Sequence, residues 1–350
     1  MFRLFLTGRC FRLCRVCLLL LPALLCLTGC GENVSPEQRK VRIGVTQYDQ
    51  YDTFISELME EFNENAAEEK NRVSVEIFNA AKNQQTQDRQ VKKMIEDGCD
   101  VICVNLVDRT APTKIIDMAK KSNIPIIFFN RELVEEDLLR WDRLYYVGAD
   151  AFESGTIEGN IAAERCASDP TVDRNGDGSI QYIVLEGEAG HQDAIIRTER
   201  CVNTLLLAGI PLEKLGYVLA NWNRVQAQTQ VSQMISQHGG AIELILSNND
   251  DMALGAIDAY TDAGIQREDW PVIVGIDGTE PGLKAVAEGQ MIGTVYNDGR
   301  GQARAMFALA LAITENRAIE GCELQNGKYI RLPYQKVSAE NVEQFQRRAE

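Results

Sequence analysis

Histidine is almost missing from this 350-residue chain: only His191 and His238 occur, and neither has metal-ligand spacing to a partner. Nor does a serine or cysteine nucleophile arrangement accompany His191, which leaves histidine-assisted covalent catalysis without its second member. Positive charge is scarce as well. Lys and Arg number 36 against 51 Asp and Glu, a formal net charge of −15, and an acidic body of this kind does not bind nucleic acid or anionic membrane by charge. The apolar run from Val16 to Leu27 falls short of the roughly 20 residues that a bilayer-spanning helix needs. A helix-turn-helix headpiece is also lacking, which excludes a repressor.

The N-terminal region carries Arg3, Arg9, Arg12 and Arg15, then the apolar run, then Leu27-Thr28-Gly29-Cys30. This is the layout of an export signal, and the small residues before the cysteine resemble the lipobox of bacterial lipoproteins. On this reading residues 1–29 are a lipoprotein signal peptide, Cys30 carries the lipid, and residues 30–40 are a polar tether. The mature chain then has 350 − 29 = 321 residues, and losing four arginines takes the net charge from −15 to −19. The location implied is extracytoplasmic, anchored to a membrane through Cys30.

Of the ten cysteines, Cys10, Cys14, Cys17 and Cys26 leave with the signal. Cys99 and Cys103 frame a C-x3-C that is neither a zinc nor a redox spacing, and Cys166, Cys201 and Cys322 are isolated. Five thiols cannot all pair within one chain. Buried free cysteine is expected, with one disulfide left open in an oxidising location.

From Val41 onward, short apolar runs alternate with amphipathic stretches. Strands are expected to begin near Arg42, Val73, Val101, Pro125 and Leu144, and again near Tyr182, Tyr217, Leu244, Val272 and Gly293. A helix is expected over Thr53 to Glu69, where Phe54, Ile55, Leu58, Met59 and Phe62 share one face. Two rounds of this alternation predict an α/β protein of two doubly wound parallel-sheet lobes, and the length suits two domains. In such sheets ligands bind beyond the carboxyl ends of the strands.

At those ends stand Tyr48, Asp52 and Phe54; Asn130 and Arg131; Glu188, His191, Asp193 and Arg197; Trp222; Asn248, Asn249 and Asp250; Asp277; and Asn297. Sugar hydroxyls both donate and accept, so carboxylates, amides and a guanidinium can engage them in pairs. The apolar faces of a sugar pack on aromatic rings. A lone Asp after a strand is more often a helix N-cap than a ligand, and Asp250 is read as one; Tyr48 is equally readable as packing.

The stretches VRIGVTQYDQYDTF, IPIIFFNRE, GEAGHQDAIIRT, SNNDDMALGA and VYNDG, in this order, resemble those of the periplasmic galactose/glucose-binding proteins, the type 1 sugar-binding proteins of ABC importers. The resemblance implies that Phe54 and Trp222 sandwich a pyranose ring. It further implies that Asp52, Asn130, His191, Asp193, Arg197, Asn249, Asp277 and Asn297 bind its hydroxyls and ring oxygen, with Tyr48 lining the cleft. The ligand implied is D-galactose or D-glucose, and the partners are ABC permease subunits or, alternatively, a chemoreceptor or sensor kinase. The protein is expected to be a monomer and not an enzyme, because a cleft closing over a whole monosaccharide leaves no room for a leaving group. Its lobes would be residues 41–148 with 299–332 and residues 150–296 with 336–350, joined by a three-segment hinge near 148–150, 296–299 and 333–336.

A second signal lies at Asp173-Arg174-Asn175-Gly176-Asp177-Gly178-Ser179-Ile180-Gln181. Asp173, Asn175, Asp177, Ser179 and Gln181 fall at positions 1, 3, 5, 7 and 9 of an EF-hand-like calcium loop, with Gly178 at the sharp turn. Position 12 is Val184 rather than glutamate. The resemblance points to Glu243 as the bidentate ligand of a structural calcium ion.

Overall fold

The computed structural model describes residues 39–346. The expected signal peptide, the lipid site Cys30, nearly all of the tether and residues 347–350 lie outside them. The strands in chain order are β1 (Val41–Gln47), β2 (Val73–Asn79), β3 (Val101–Val104), β4 (Ile126–Phe129), β5 (Leu144–Gly148), β6 (Ile180–Glu186), β7 (Leu212–Leu219), β8 (Leu244–Ser247), β9 (Val272–Asp277), β10 (Gly293–Tyr296), β11 (Tyr329–Arg331) and β12 (Gln335–Ser338). The helices are α1 (Thr53–Glu68), α2 (Gln84–Glu96), α3 (Thr113–Ser122), α4 (Glu135–Leu138), α5 (Ala151–Ser168), α6 (Gln192–Leu207), α7 (Arg224–His238), α8 (Asp250–Asp262), α9 (Glu280–Ala287) and α10 (Gly299–Glu315).

Two six-stranded sheets result, ordered β2-β1-β3-β4-β5-β11 and β7-β6-β8-β9-β10-β12. Every pairing is parallel except that of β12 with β10. The repeated 2-1-3-4-5 order is that of a doubly wound sheet, whose crevice opens where the winding direction reverses. Strands β3 (VICV) and β4 (IIFF) are buried at every residue, as continuous apolar runs are when helices cover both faces. In the first lobe α1 and α10 cover one face, with Phe62 edge-on to Phe307 at 5.7 Å, while Met94 and Ile115 belong to the core on the other. The second lobe repeats this with α5 and α6 on one face and α7 and α8 on the other.

The chain passes between the sheets three times, from Gly148 to Ala151, Tyr296 to Gly299 and Arg331 to Gln335. β7 begins at Leu212, ahead of the expected Tyr217. It is an edge strand, and its exposed Glu213 and Lys214 break the apolar signal. β11 and β12, three and four residues long, are too short and polar to have been read from sequence. Cys99, Cys103, Cys166, Cys201 and Cys322 are all free thiols, the first two and Cys201 buried.

Candidate ligand-binding cleft

The carboxyl ends of the strands are also where helices begin, so strand-end residues acquire capping duties. Asp52 caps α1, accepting from the Ile55 amide at 3.0 Å. His191 caps α6 through Nδ1, which accepts from the Asp193 amide at 3.2 Å. Asn249 caps α8, accepting from the Met252 amide at 3.0 Å. Capping and site membership therefore coincide in these three residues, and three helix N-termini, each a partial positive charge, meet at the cleft. Asp250 is not the cap that the sequence suggests: it is the first residue of α8, and its carboxylate turns inward to Thr279 and Thr294.

One cavity between the lobes is lined by Tyr48, Asp52, Phe54, Asn130 and Arg131 from the first and by His191, Asp193, Arg197, Trp222, Asn249 and Asp277 from the second. The structure thus brings ten of the eleven expected residues together and adds Arg131. Asn297 instead lines a neighbouring cavity of about 280 Å³, shared with Phe54 and Asp277, where its Oδ1 accepts from Gln302 at 2.6 Å. We place the site in the first cavity because the buried charges converge there. Its free volume is only about 30 Å³, less than a ring-sized ligand occupies.

Tyr48 is more than packing: its hydroxyl donates to Asp52 Oδ2 at 2.5 Å, and the Arg131 guanidinium lies 3.5 Å from its ring centroid. Arg131 also forms an ion pair with Glu188 of the opposite lobe at 3.0 Å. Asn105 Nδ2 donates to Asn130 Oδ1 at 3.2 Å, and the Tyr146 hydroxyl donates to the Asn130 carbonyl at 2.9 Å. Arg197 donates to the Asn248 carbonyl at 2.7 Å and to the Tyr334 hydroxyl at 3.1 Å, and lies 3.6 Å from Asp277.

Among the described residues, three buried donors of the cleft lining have no partner: His191 Nε2, Arg197 Nε and Trp222 Nε1. Because Nδ1 of His191 accepts, its proton sits on Nε2. Burial, helped by the nearby Arg131 and Arg197, holds its pKa well below the usual imidazole value, so the ring is neutral. Burial also raises the pKa values of Asp193 and, strongly, of Asp277, against the opposing pull of Arg197.

Backbone strain gathers here. Asn130, Trp222 and Asp277 have φ of 59°, 61° and 119°, values that non-glycine residues adopt rarely and that persist where the surroundings enforce them. Gly187 has a matching role, since a Cβ there would come within 2.1 Å of the Trp222 ring. Arg131 was visible as the neighbour of Asn130 in FFNRE. Tyr334 and Gly187 carried no sequence signal. Two aromatics, several carboxylates and unpaired donors around one space have the chemistry to hold a small uncharged molecule rich in hydroxyl groups.

In the 173–181 loop, Asp173 accepts from the amides of Gly176 at 2.7 Å and Gly178 at 2.9 Å. Glu243 accepts from the amides of Arg174 at 2.6 Å and Gln181 at 3.0 Å, which brings it to the loop. Among the described residues no three His, Cys, Asp or Glu side chains gather around one metal position, so a cation would depend on amide and carbonyl oxygens too. Asn175 Nδ2 sits between Asp177 Oδ2 at 2.9 Å and Gln181 Oε1 at 3.0 Å, while its own Oδ1 accepts from the Asp177 amide at 2.8 Å. The carboxylate and amide oxygens of Asp173, Asn175, Asp177, Gln181 and Glu243 are ligands of the kind that calcium takes.

Residues 43–318 match the family model described as periplasmic binding protein domain. The chain is 34% identical to the D-galactose/methyl-galactoside binding periplasmic protein MglB of Haemophilus influenzae, over 87% of this chain and 91% of the relative. It is 32% identical to a xylitol-binding protein of Mycolicibacterium smegmatis, over 84% and 78%. Among solved structures, an ABC transporter solute binding protein from Bacillus halodurans with bound myo-inositol superposes with a TM-score of 0.74 at 27% identity, covering 88% of this chain and 97% of that one. With the paired doubly wound lobes and the cleft between them, these matches establish that the chain belongs to the periplasmic binding protein family.

Proposed function

We propose that this protein is an extracytoplasmic, lipid-anchored substrate-binding protein that captures D-galactose or D-glucose by lobe closure and hands it, unchanged, to an ABC importer. The observation that carries the ligand class is the set of unpaired buried donors on His191, Arg197 and Trp222, which face the acceptors Asp52, Asp193 and Asp277 and the aromatic Phe54 in one cavity. The hexose is favoured by the identity to MglB. A carboxylate such as Asp52 accepts from an axial or an equatorial hydroxyl, so both 4-epimers fit. The xylitol-binding relative and the myo-inositol-bound structure support a second reading, an acyclic or cyclic polyol in the same cleft. A sensory role would use the same ligand chemistry.

Calorimetric titration with galactose, glucose, ribose, xylose, arabinose, xylitol and myo-inositol separates these readings. Micromolar or tighter binding of a hexose, about −8 kcal/mol, is expected. Tight binding of a pentose or polyol with no heat from either hexose overturns it, and sustained hydrolysis of aryl galactosides would make the protein an enzyme. For the anchor, Cys30→Ser should move the protein from the membrane fraction into the extracytoplasmic fluid.

The same proposal includes one structural calcium ion held by Asp173, Asn175, Asp177, the Ser179 carbonyl, Gln181 and Glu243. The ion would supply the charge that draws the loop's oxygens together; the residues themselves tie the loop to β8 through Glu243. A cation bound only by the native state stabilises it by mass action. Chelation should therefore lower Tm, and an unchanged melting curve for protein shown to contain the metal would remove the ion from the proposal.

A further inference from the structure

Asp250 has no exposed surface and does not line the cleft, yet the architecture closes around its carboxylate. Oδ2 accepts from the Thr279 amide at 2.9 Å and its hydroxyl at 3.3 Å, and Oδ1 accepts from the Thr294 hydroxyl at 2.6 Å. Space is reserved for it as well. A Cβ at Gly282 would stand 2.2 Å from Oδ2, and one at Gly275 2.5 Å from Oδ1. Strands β9 and β10 and the start of α9 thus converge on one side chain of α8.

What this carboxylate holds is the turn Asp277-Gly278-Thr279, whose first two residues have φ of 119° and 66°. An aspartate at 119° is strained and needs its neighbours to keep it there. In that conformation the Asp277 side chain enters the cleft beside Arg197. We propose that Asp250 is a positioning residue, which touches no ligand but fixes Asp277 in the strained conformation from which its carboxylate meets the ligand. This rests on the reading that Asp277 accepts from a ligand hydroxyl.

The test is a double-mutant cycle in the full chain, read by calorimetry with D-galactose and by melting temperature. Asp250→Asn should weaken binding about tenfold, the order of one misplaced hydrogen bond to a charged group. In an Asp277→Asn background the same change should have no further effect on affinity, because the residue it acts through is already disabled. Equal losses in both backgrounds, or unchanged affinity, would show a merely structural role and overturn the proposal. Should Asp250→Asn fail to fold, Thr294→Val removes one hydrogen bond to the same carboxylate and should show a smaller loss with the same dependence on Asp277. If the native protein takes no galactose, the hexose reading falls alone. The ¹³C resonance of the Asp277 carboxyl in ligand-free protein then decides: it should move in Asp250→Asn or Thr294→Val, and a resonance that stays in place overturns the proposal.

Discussion

In the first lobe the polar groups at the cleft already have partners: Tyr48 with Asp52, Asn130 with Asn105, and Arg131 above the Tyr48 ring. In the second lobe His191, Arg197 and Trp222, all buried, are each left with an unused donor. Two of the three strained backbone positions, Trp222 and Asp277, are there too. Unpaired buried donors are costly in the free state and gain most when an acceptor arrives. Two lobes with one strand order thus present different surfaces to the cleft: the second offers open donors, the first polar groups already engaged. On the proposed function the second lobe would seize the ligand and the first cover it.

The largest test of that division compares the two aromatic faces. Trp222→Ala loses a stacking surface and an N–H donor and should weaken sugar binding by ~2–3 kcal/mol, about thirty- to a hundredfold or more. Phe54→Ala loses a surface only and should cost several-fold less. Isothermal titration of the pair breaks the comparison if Phe54→Ala is equal or worse.

A smaller effect is expected at the contact between lobes. Glu188→Gln removes the charge opposite Arg131 while the guanidinium keeps its place on Tyr48. The pair is only partly screened, with side-chain exposures of 4% and 26%, so it exceeds the ~0.2–1 kcal/mol of an open surface pair only modestly. Dissociation should speed up several-fold in stopped-flow fluorescence with little change in association. An unaltered off-rate would show that the pair does not hold the lobes together.

The smallest concerns the interior of the second lobe. Glu158 is buried against the Ser247 amide at 3.0 Å, and burial pushes its pKa up to about 8 from an ordinary 4.5. A carboxyl that binds its proton more tightly when folded stabilises the fold fully below about pH 4.5, and that contribution is lost as pH rises through about 8. Glu158→Gln should therefore flatten the fall of Tm between pH 5 and 9 by roughly 2–4 °C. Parallel melting profiles of mutant and native protein would contradict it.

The alternation of strands and helices was legible because strands buried on both faces, such as VICV and IIFF, are written as unbroken apolar runs. The cleft lining was legible for a related reason: the doubly wound topology tells where to look, and Asp52, His191 and Asn249 stand in the loops that follow β1, β6 and β8. What could not be read are relations across the fold. The Arg131–Glu188 pair joins two lobes, and each residue alone looks like an ordinary loop charge. Asp250 was read as a cap because spacing cannot say which of Asn249 and Asp250 turns toward the helix backbone. Asn297 follows its strand like the others, yet Gln302 draws its side chain into the next cavity.

The three crossings between the sheets have a consequence for how the chain acquires its shape. Strands β1 to β5 come early in synthesis, but α10, whose Phe307 covers Phe62 of α1, and the edge strand β11 come only after the whole of β6 to β10. Until residue 299 and beyond is available, one apolar face of the first sheet has only α1 over it, and the rest of that core stays open. Contacts so distant in sequence slow folding and lengthen the time for which that face stays accessible. The lobe made first is thus finished late, and a fragment ending before α10 should be held by chaperones or aggregate rather than fold as a domain.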